Sequence, residues 1–378
     1  MQQGYKRTEV GMIPEDWGCV AAKHLMKIET GSRNTEHKTD MGKYPFFVRS
    51  QKVEHIDTYH YNCEAVLTAG DGVGTGKVFH HFVGKFDAHQ RVYVMSNFDG
   101  ITGRYFYNYF SDNFGKEVSK YTAKSSVDSV RRDMIAEMMI PLPPLEEQKR
   151  IAEALSDVDR MISSLEKLIA KKKTVKQGAM QELLTGKKRL PGFTGKWTVK
   201  YIDDIATIMD NCRIPVKESD REKMAGTIPY CGANGIVGYI NGYTIDDEII
   251  LIAEDGGYFD EYATRPIAYK MSGKCWVNNH AHILKSKSNT DQNYLFYCLV
   301  HKDIRDFISS GTRSKLNKAE LLKITIKLPL CLEEQIAIAS ILSDMDNEIE
   351  SLEQKLSKTR QIKQGMMQQL LTGKIRLN

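Results

Sequence analysis

An internal repeat is the feature that most constrains how this chain can fold. Residues 145–190 match residues 332–377 without a gap, and 27 of the 46 aligned positions are identical. A repeat in the sequence indicates a repeat in the architecture. At 378 residues the chain is long enough for two or three domains, each with its own core. We therefore expect a duplicated protein.

Fainter matches extend the repeat into the segments between the two copies. Residues 16–33 align with 196–213, which places Trp17 over Trp197. The other matched pairs, in chain order, are 64–72 with 248–256, 87–94 with 277–284, and 104–110 with 293–299. Ordered matches with small drifts in offset are what an old duplication leaves after its loops have gained and lost residues. The helical parts stayed alike while the intervening domains diverged.

The duplication predicts an alternating organisation of two variable domains and two helices. Strand-like and helix-like segments are mixed in the variable domains, which indicates an α+β protein. The predicted segments are a first variable domain (1–144), a first helix (145–190), a second variable domain (191–331) and a second helix (332–378).

Each repeated segment is predicted to be one long helix of about 40 residues. Pro144 fits a first helical turn, Glu146 suits the positive end of the helix dipole, and Gly186 and Gly373 suit left-handed caps. Apolar residues recur in steps of four and three, which is the heptad spacing of a coiled-coil seam. These seam residues are Ile151, Leu155, Val158, Ile162, Leu165 and Ile169 in the first helix and Ile338, Leu342, Met345, Ile349, Leu352 and Leu356 in the second.

A seam this narrow requires one partner helix. The two helices could form separate zippers with other copies of the chain, or they could pair with each other. Tethering in one chain gives a high effective concentration and favours the internal pair. The predicted fold is therefore two globular domains separated by two long antiparallel coiled-coil helices, with an internal pseudo-twofold repeat.

The stretch "AGDGVGTGKVF" (69–79) resembles a phosphate-binding loop without satisfying the pattern. Asp71 stands where a Walker A motif needs glycine, and Val78 stands where it needs serine or threonine. A flexible glycine turn after a buried strand is the favoured interpretation. A backbone loop presented to a nucleic-acid phosphate is the alternative.

Two histidines, His280 and His282, have an i, i+2 spacing that metal ligands can share. No acidic or cysteine cluster lies beside them in the sequence, so we predict no metal site. Asn278 and Asn279 fit either a base-reading loop or a structural turn. The tyrosine-rich stretch 104–110 has helical spacing and is predicted to be core rather than a stacking platform.

Charge and missing motifs favour binding over catalysis. The net charge of +5 permits a polyanionic partner. Neither a signal peptide nor an apolar run of membrane-spanning length is present, which predicts a cytoplasmic protein. We find no adenine-methyltransferase motif, no helicase boxes and no nuclease cluster. An enzyme acting alone is therefore disfavoured, and a device for binding and spacing is favoured.

Several short motifs occur in order, and most of them occur twice. They are "GMIPEDW", "IPLPPLEEQ", "LPGFTGKW", "LPLCLEEQ" and the two copies of "KQG-x-MQ-x-LLTGK". Through them the chain resembles the specificity subunit of type I restriction-modification systems along nearly its full length. The second copy departs from the pattern at Leu330 and Cys331, where the first has a double proline, which puts the start of that helix in doubt.

The resemblance implies a role and a set of partners. Each variable domain would be a target recognition domain that reads part of a bipartite, asymmetric site in double-stranded DNA. The helices would be a spacer on which two methyltransferase subunits dock, with restriction subunits joining them. This chain would hold no cofactor, and the partner subunits would use S-adenosylmethionine, ATP and magnesium. A scaffold or decoy that binds the methyltransferase subunit without reading DNA is the alternative.

Candidate DNA contacts are basic, amide or histidine side chains in predicted loops, because such groups bind phosphates and base edges. They are Arg33, Arg49, Gln51, Lys77, Gln90, Arg91, Lys124 and Arg131 in the first domain and Arg213, Lys217, Asn234, Asn278, Asn279, His280, Arg313 and Lys315 in the second.

Overall fold

The chain divides into two compact units that each combine strands and helices. Unit 1 is Met1–Glu166 with Gln354–Asn378, and unit 2 is Lys167–Glu353. The computed structural model describes residues 4–122, 129–309 and 314–377. The α+β class is confirmed in both units. The four-segment division stays a prediction, because the compact units cut through both long helices.

Unit 1 is built on a six-stranded sheet. Its described strands β1–β10 are Tyr5–Thr8, Gly11–Pro14, Gly18–Ala21, Lys27–Thr30, Tyr44–Phe47, Glu54–Ile56, Tyr61–Ala69, Phe79–Ala88, Val92–Ser96 and Met139–Leu142. Its helices are α1 (Gly103–Thr122), α2 (Arg132–Ala136) and the first part of α3 (Leu145–Leu183). The main sheet has the order β4-β9-β7-β8-β5-β6, while β1 pairs with β2 and β3 with β10.

Strand β7 is buried on both faces, which explains its nearly continuous apolar run. Val66 faces a core shared with helix α1, where Phe106 and Phe110 are fully buried. Ala65 and Leu67 face a second core on the other side of the sheet. The prediction that the tyrosine-rich stretch packs as core is confirmed.

The same strand order recurs in unit 2. Its described strands β11–β20 are Trp197–Tyr201, Ala206–Ile208, Ile228–Gly232, Gly235–Ile240, Ile245–Asp246, Ile249–Ala253, Ala268–Met271, Lys274–Val277, Ala281–Ser286 and Thr325–Pro329. Its helices are α4 (Ile202–Ile205), α5 (Glu218–Lys223), α6 (Gln292–Leu299), α7 (Lys318–Lys323), the end of α3 and the start of α8 (Leu332–Leu370). Strands β12-β19-β16-β17 repeat the order of β4-β9-β7-β8, and β11–β20 repeats the pair β3–β10.

The two sheets differ at one glycine position. In unit 1, β8 runs unbroken through Gly84, whose φ of 131° lies in a region that glycine adopts most readily. In unit 2 the chain breaks at Gly273, with φ 75°, into β17 and β18. Beyond this glycine, the end of β8 pairs in parallel with β5 in unit 1, and β18 pairs in parallel with β13 in unit 2.

The strand registers correct one of the sequence matches. Leu67 pairs with Val94, and its counterpart Leu251 pairs with Ile283. Val94 is therefore equivalent to Ile283, whereas the match of 87–94 with 277–284 placed it over Leu284. The matched residue ranges were therefore displaced by one position, although they identified the equivalent strands.

Both long helices form and begin at equivalent residues. Helices α3 and α8 each contain 39 residues, which corresponds to about 58 Å at 1.5 Å per residue. Helix α8 begins at Leu332, the counterpart of Leu145, although no double proline precedes it. Gly186 and Gly373 follow the helix ends with φ of 67° and 69°, which confirms the predicted caps.

Within each unit, ion pairs join the segment of α3 to the segment of α8. In unit 1, Asp159 pairs with Lys363 at 2.6 Å and Glu166 with Arg360 at 2.7 Å, so the partner number falls as the α3 number rises. The corresponding pairs in unit 2 are Lys172–Glu348, Lys173–Glu353 and Lys176–Asp346.

None of the predicted seam residues is exposed. Seven are buried, namely Ile151, Leu155, Leu165, Ile169, Ile338, Leu342 and Ile349. The half-buried ones are Val158, Ile162, Met345, Leu352 and Leu356. The first two in each helix belong to the core of the adjoining variable domain. The heptad pattern therefore serves domain packing at the start of each helix.

A joint between the end of one helix and the start of the other closes unit 1. The Arg376 guanidinium, which follows α8, donates to Glu147 at 2.7 and 2.8 Å and to Asp16. Trp17 Nε1 donates to the same Glu147 at 3.1 Å, and Glu147 is almost fully buried. Buried carboxylates require such partners. This joint gives a structural reason why the motifs "EEQ" and "TGK-x-RL" occur in both copies of the repeat.

A similar joint closes unit 2, where Lys196 stands at the position of Asp16 and the tryptophan hydrogen bond is missing. Arg189, which follows α3, donates to Glu334 at 2.7 and 2.8 Å. Its guanidinium also lies 5.6 Å from the Trp197 ring, as that of Arg376 lies 5.6 Å from the Trp17 ring. Trp197 Nε1, however, is buried without a hydrogen-bond partner. The repeated arginine, glutamate and tryptophan thus have a structural role in both units.

Candidate nucleic-acid interface

In unit 1 the loops that carry the predicted DNA contacts meet at one place. The backbone of Arg33 bridges to His89, and Gln90 N donates to Arg33 O at 2.8 Å. Gly70 N donates to Arg91 O at 2.7 Å, which brings the glycine-rich loop beside the β8–β9 connection. We call these loops, residues 31–34, 49–51, 70–77, 89–91 and 129–131, recognition edge 1.

Asp71 holds two of the predicted arginines at recognition edge 1. Its carboxylate lies 2.8 Å from Arg49 Nη1 and 3.6 Å from Arg91 Nε. Both guanidiniums remain largely exposed, with side-chain exposures of 47% and 64%. Burial, followed by the positive charge of Arg49, lowers the pKa of the neighbouring His89. The arrangement presents two oriented guanidiniums to solvent.

Arg33 is held more tightly than its neighbours. Its Nε donates to Asp87 at 3.0 Å, and Asp87 is fully buried. The guanidinium is therefore committed to balancing a buried carboxylate, although about a third of the side chain is exposed. Its role as a DNA contact stays a prediction, and its role in fixing the loop is a property of the structure.

The glycine-rich loop packs against Arg49 and forms a short 3-10 turn at Gly72–Gly74. A Cβ at Gly74 would lie 2.5 Å from Arg49 O, so only glycine fits there. The turn after a buried strand is thus present, and close packing accounts for one of its glycines. Presentation of this loop to a phosphate stays a prediction.

The remaining candidates of unit 1 are exposed where the structure describes them. Gln51 is exposed and donates to Phe79 O at 3.5 Å, and Lys77 is exposed in the glycine-rich loop. Gln90 and Arg131 are exposed at the same edge. Lys124 lies outside the described residues.

Unit 2 repeats the arrangement with different side chains. Asp255 is the counterpart of Asp71, since both follow the matched buried strands. The strand registers make His280 the counterpart of Arg91, and His280 Nδ1 lies 2.6 Å from Asp255 Oδ1. We call residues 210–213, 254–257, 278–280 and 315 recognition edge 2. The same loop acid therefore holds an arginine in one unit and a histidine in the other.

An ion network underlies recognition edge 2. Arg213 pairs with Asp210 at 3.2 Å and also with Glu254, which in turn pairs with Lys315 at 2.9 Å. Burial alone would raise the pKa of the Glu254 carboxyl, but hydrogen bonds from Arg213 and Lys315 outweigh it and lower the pKa. Burial also raises the pKa of Asp210, but the hydrogen bond with His282 and other contacts outweigh it, so the pKa of Asp210 is lowered.

The sequence did not reveal the acids that surround the histidines. His282 is buried, with Nδ1 2.7 Å from Asp210 and Nε2 3.6 Å from Glu254. Ligand atoms of these three residues all lie within 4.8 Å of one another, a spacing that a metal could use. Arg213 and Lys315 already balance the two carboxylates, so ion pairing accounts for the cluster. The absence of a metal site stays a prediction.

The other candidates of unit 2 differ in accessibility. Asn278 is buried and accepts from His280 N at 2.8 Å, which makes it a turn residue. Asn234 donates to Gly256 O at 2.9 Å and is exposed, as are Asn279 and Lys217. Arg313 lies outside the described residues.

The residues of the candidate site that sequence reasoning missed are the acids. Asp71 and Asp255 position candidate DNA-contacting side chains, whereas the predicted contacts were cations, amides and a histidine. A signal was present, because an Asp-Gly pair follows the buried strand in both copies. Glu254 gave no comparable signal, since Arg213 and Lys315 are distant from it in the sequence. Asp210 lies three residues before Arg213, but its contact with His282 joins residues 72 positions apart.

The family follows from a match that covers most of the chain. The family of the type I restriction modification DNA specificity domain matches twice, at residues 14–177 and 194–361. The chain belongs to this family. The two matches coincide with the two copies of the repeat. Specificity subunits are generally non-catalytic.

Named relatives agree with the family assignment. A putative type I restriction enzyme specificity subunit of Haemophilus influenzae is 39% identical over 38% of this chain and 35% of its own length. The putative MjaX specificity subunit of Methanocaldococcus jannaschii is 26% identical over 100% of this chain and 97% of its own length. The EcoDI specificity subunit of Escherichia coli is 23% identical over 84% of this chain and 79% of its own length.

Solved structures support the fold. The type I restriction-modification S subunit of M. genitalium covers 98% of this chain and 99% of its own, with a TM-score of 0.71 and 17% identity. A chain from a study of complex assembly and conformational transition of the type I system covers 96% and 99%, with a TM-score of 0.55 and 15% identity. Among the described residues, no helix has the length and apolar character that crossing a membrane requires.

Proposed function

We propose that this chain reads a bipartite, asymmetric DNA target, one part with each unit, as the recognition subunit of a type I restriction-modification complex. The observation that carries the proposal is the pair of recognition edges. Asp71 and Asp255 stand at equivalent positions, but they hold Arg91 in one unit and His280 in the other. One scaffold with two different sets of side chains suits two different half-sites.

The chemistry of the edges suits base reading supported by phosphate contacts. An arginine can donate two hydrogen bonds to guanine in the major groove, and amide side chains can pair with adenine. Exposed lysines such as Lys77 and Lys217 suit phosphates, which fix the position of a protein without reading sequence. The net charge of +5 favours approach to DNA.

The helices suit the role of spacer and docking surface. Helices α3 and α8 belong to segments that share 27 of 46 aligned residues, so each can offer a similar face to one copy of a partner. We propose two methyltransferase subunits as those partners, with restriction and translocase subunits joining through them. S-adenosylmethionine, ATP and magnesium would be used by the partners. Methylation of an adenine, flipped out of the duplex, would be the methyltransferase's chemistry.

Mapping methylated adenines in cells tests the proposal. The chain is co-expressed with the methyltransferase subunit of its own system in a host that lacks other adenine methylation. We expect methylation at one bipartite motif with two unlike halves. A complex that assembles and shows no motif would refute DNA reading. It would favour the alternative of a decoy that does not read DNA. The ion pairs of Arg33 and Arg213 with carboxylates of their own unit are consistent with that alternative.

A further inference from the structure

A large groove in unit 2 is open and differs from its counterpart in unit 1. It has a volume of about 1040 Å³ and lies between the end of α3 and the region of α6. Its floor is apolar and includes Met180, Leu184, Tyr297 and Ile326. None of these residues belongs to recognition edge 2.

The counterpart groove in unit 1 is largely filled by the chain itself. By the repeat, Met367 and Leu371 are equivalent to Met180 and Leu184, and they line a cavity of only about 220 Å³. Val10 and Ile13, from the β1–β2 hairpin, line the same cavity and pack in the same apolar cluster. Ile13 is fully buried. Two aliphatic side chains therefore cover the floor that stays open in unit 2.

The hairpin is fixed in unit 1 and has no equivalent in unit 2. Tyr5 Oη donates to Gly373 O at 2.9 Å, and Pro14 packs so closely on Gly373 that a Cβ there would lie 2.4 Å away. In unit 2, residues 184–196 connect α3 to β11 and contain no strand. The groove of unit 2 is thus open because no hairpin among its described residues covers the floor.

The charge around the open groove selects what could fill it. Its described lining includes five lysines and one acidic residue, Asp346. The lysines are Lys173, Lys176, Lys187, Lys302 and Lys327. Asp346 is already paired with Lys176, and Lys173 is paired with Glu353. Lys187 and Lys302 remain at the rim to meet an acidic partner.

We propose that this groove is the docking site for an acidic segment of the methyltransferase subunit that presents aliphatic side chains. The segment would occupy in unit 2 the place that Val10 and Ile13 occupy in unit 1. A DNA backbone suits the site less well, because a phosphate-sugar chain cannot cover an apolar floor. This inference rests on the proposed function. It makes the two methyltransferase sites unequal, since only one has the open groove.

A titration with charge-reversed variants tests the groove. The full-length chain carrying Lys187→Glu and Lys302→Glu is titrated with purified methyltransferase subunit, and both binding steps are measured by calorimetry and native mass spectrometry. We expect one of the two steps to weaken by about tenfold or more, because reversed charge repels an acidic partner. The matched control is Lys116→Glu with Lys374→Glu in unit 1, whose groove is covered by the hairpin, and both steps should be unchanged.

The alternatives give different results. Binding of both copies as in the wild type would refute the groove, and so would equal weakening in the control variant, which would indicate a general charge effect. If the variant keeps the partner and loses affinity for duplex DNA, the groove binds DNA and the inference is wrong. If the wild-type chain binds no methyltransferase subunit, the proposed function itself fails. A Lys187→Gln, Lys302→Gln variant should show a smaller loss in the same step.

Discussion

At the scale of single residues, the two recognition edges are organised by acids. Asp71 orients Arg49 and Arg91, and Asp255 orients His280. An acid beside DNA is unfavourable unless it positions a cation or accepts from a base. We therefore assign these aspartates a positioning role and place the reading chemistry on the side chains they hold.

Replacing the held side chains should affect one half-site each. Arg91→Ala should cost about 1–3 kcal/mol of discrimination at one position of one half-site, which is typical of a lost base contact. His280→Ala should act only on the other half. Competition binding with duplexes mutated in each half measures both effects. Lys27→Ala, at the opposite end of β4 from the edge, is the control. Uniform weakening on all duplexes would identify Arg91 as a phosphate contact.

The network under recognition edge 2 should make the stability of unit 2 dependent on pH. Glu254→Gln removes a partner from Arg213 and Lys315 and should cost about 2 kcal/mol near pH 7. The pKa of Glu254 is below its ordinary value of 4.5, so its contribution is present above that value and is lost as pH falls through the folded pKa.

Denaturant unfolding at several pH values checks this expectation. The difference in the free energy of unfolding between the wild type and Glu254→Gln should shrink below about pH 4. Glu261→Gln, whose carboxylate is exposed beside Arg265, is the control and should change little. A difference that is constant from pH 7 to pH 3 would mean that the Glu254 charge is not what stabilises the network.

At the scale of elements, the helices were predictable and the joints were not. Heptad spacing and glycine caps predicted α3 and α8, because helix periodicity and capping are local in sequence. The ion pair of Arg376 with Glu147 joins residues 229 positions apart. The ion pair of Arg213 with Glu254, 41 positions away, was likewise not predictable from a local pattern, and the role of Arg213 as a DNA contact stays a prediction. Loop acids and strand register need tertiary structure.

The joints should stabilise the two units separately. Arg376→Ala leaves the buried Glu147 beside Trp17 without its cation, which should cost about 3 kcal/mol. Arg189→Ala should do the same to Glu334. Hydrogen exchange of backbone amides should show the loss in unit 1 for the first variant and in unit 2 for the second. Lys374→Ala, an exposed neighbour, should have no such effect. Equal loss in both units from either variant would contradict separate joints.

A charged substitution should destabilise the helices at a seam position and have little effect at an exposed neighbouring position. Leu165→Asp places a carboxylate at a buried position and should cost about 3 kcal/mol or more. Ser164→Asp, at an exposed neighbouring position, should cost little. Thermal unfolding and binding of the methyltransferase subunit measure the difference. Assembly of the Leu165→Asp variant at wild-type strength would exclude Leu165 from the seam.

At the scale of the whole molecule, the repeat explains what was kept and what diverged. Residues of the joints, such as Glu147 and Glu334, are kept because each unit needs the end of one helix and the start of the other. The edges diverged because nothing in the fold requires Arg91 and His280 to be alike. Duplication thus supplies one fold twice and leaves each reading surface free to change.

Exchange of one variable domain tests most directly whether the two units read independently. Residues 197–331 are replaced by the equivalent segment of another member of the family, and methylated adenines are mapped across the genome of cells that also make the methyltransferase subunit. We predict a new motif in which one half is replaced and the other half is unchanged, because the segment carries recognition edge 2 and leaves edge 1 intact. An active complex in which both halves change, or neither does, would contradict the account.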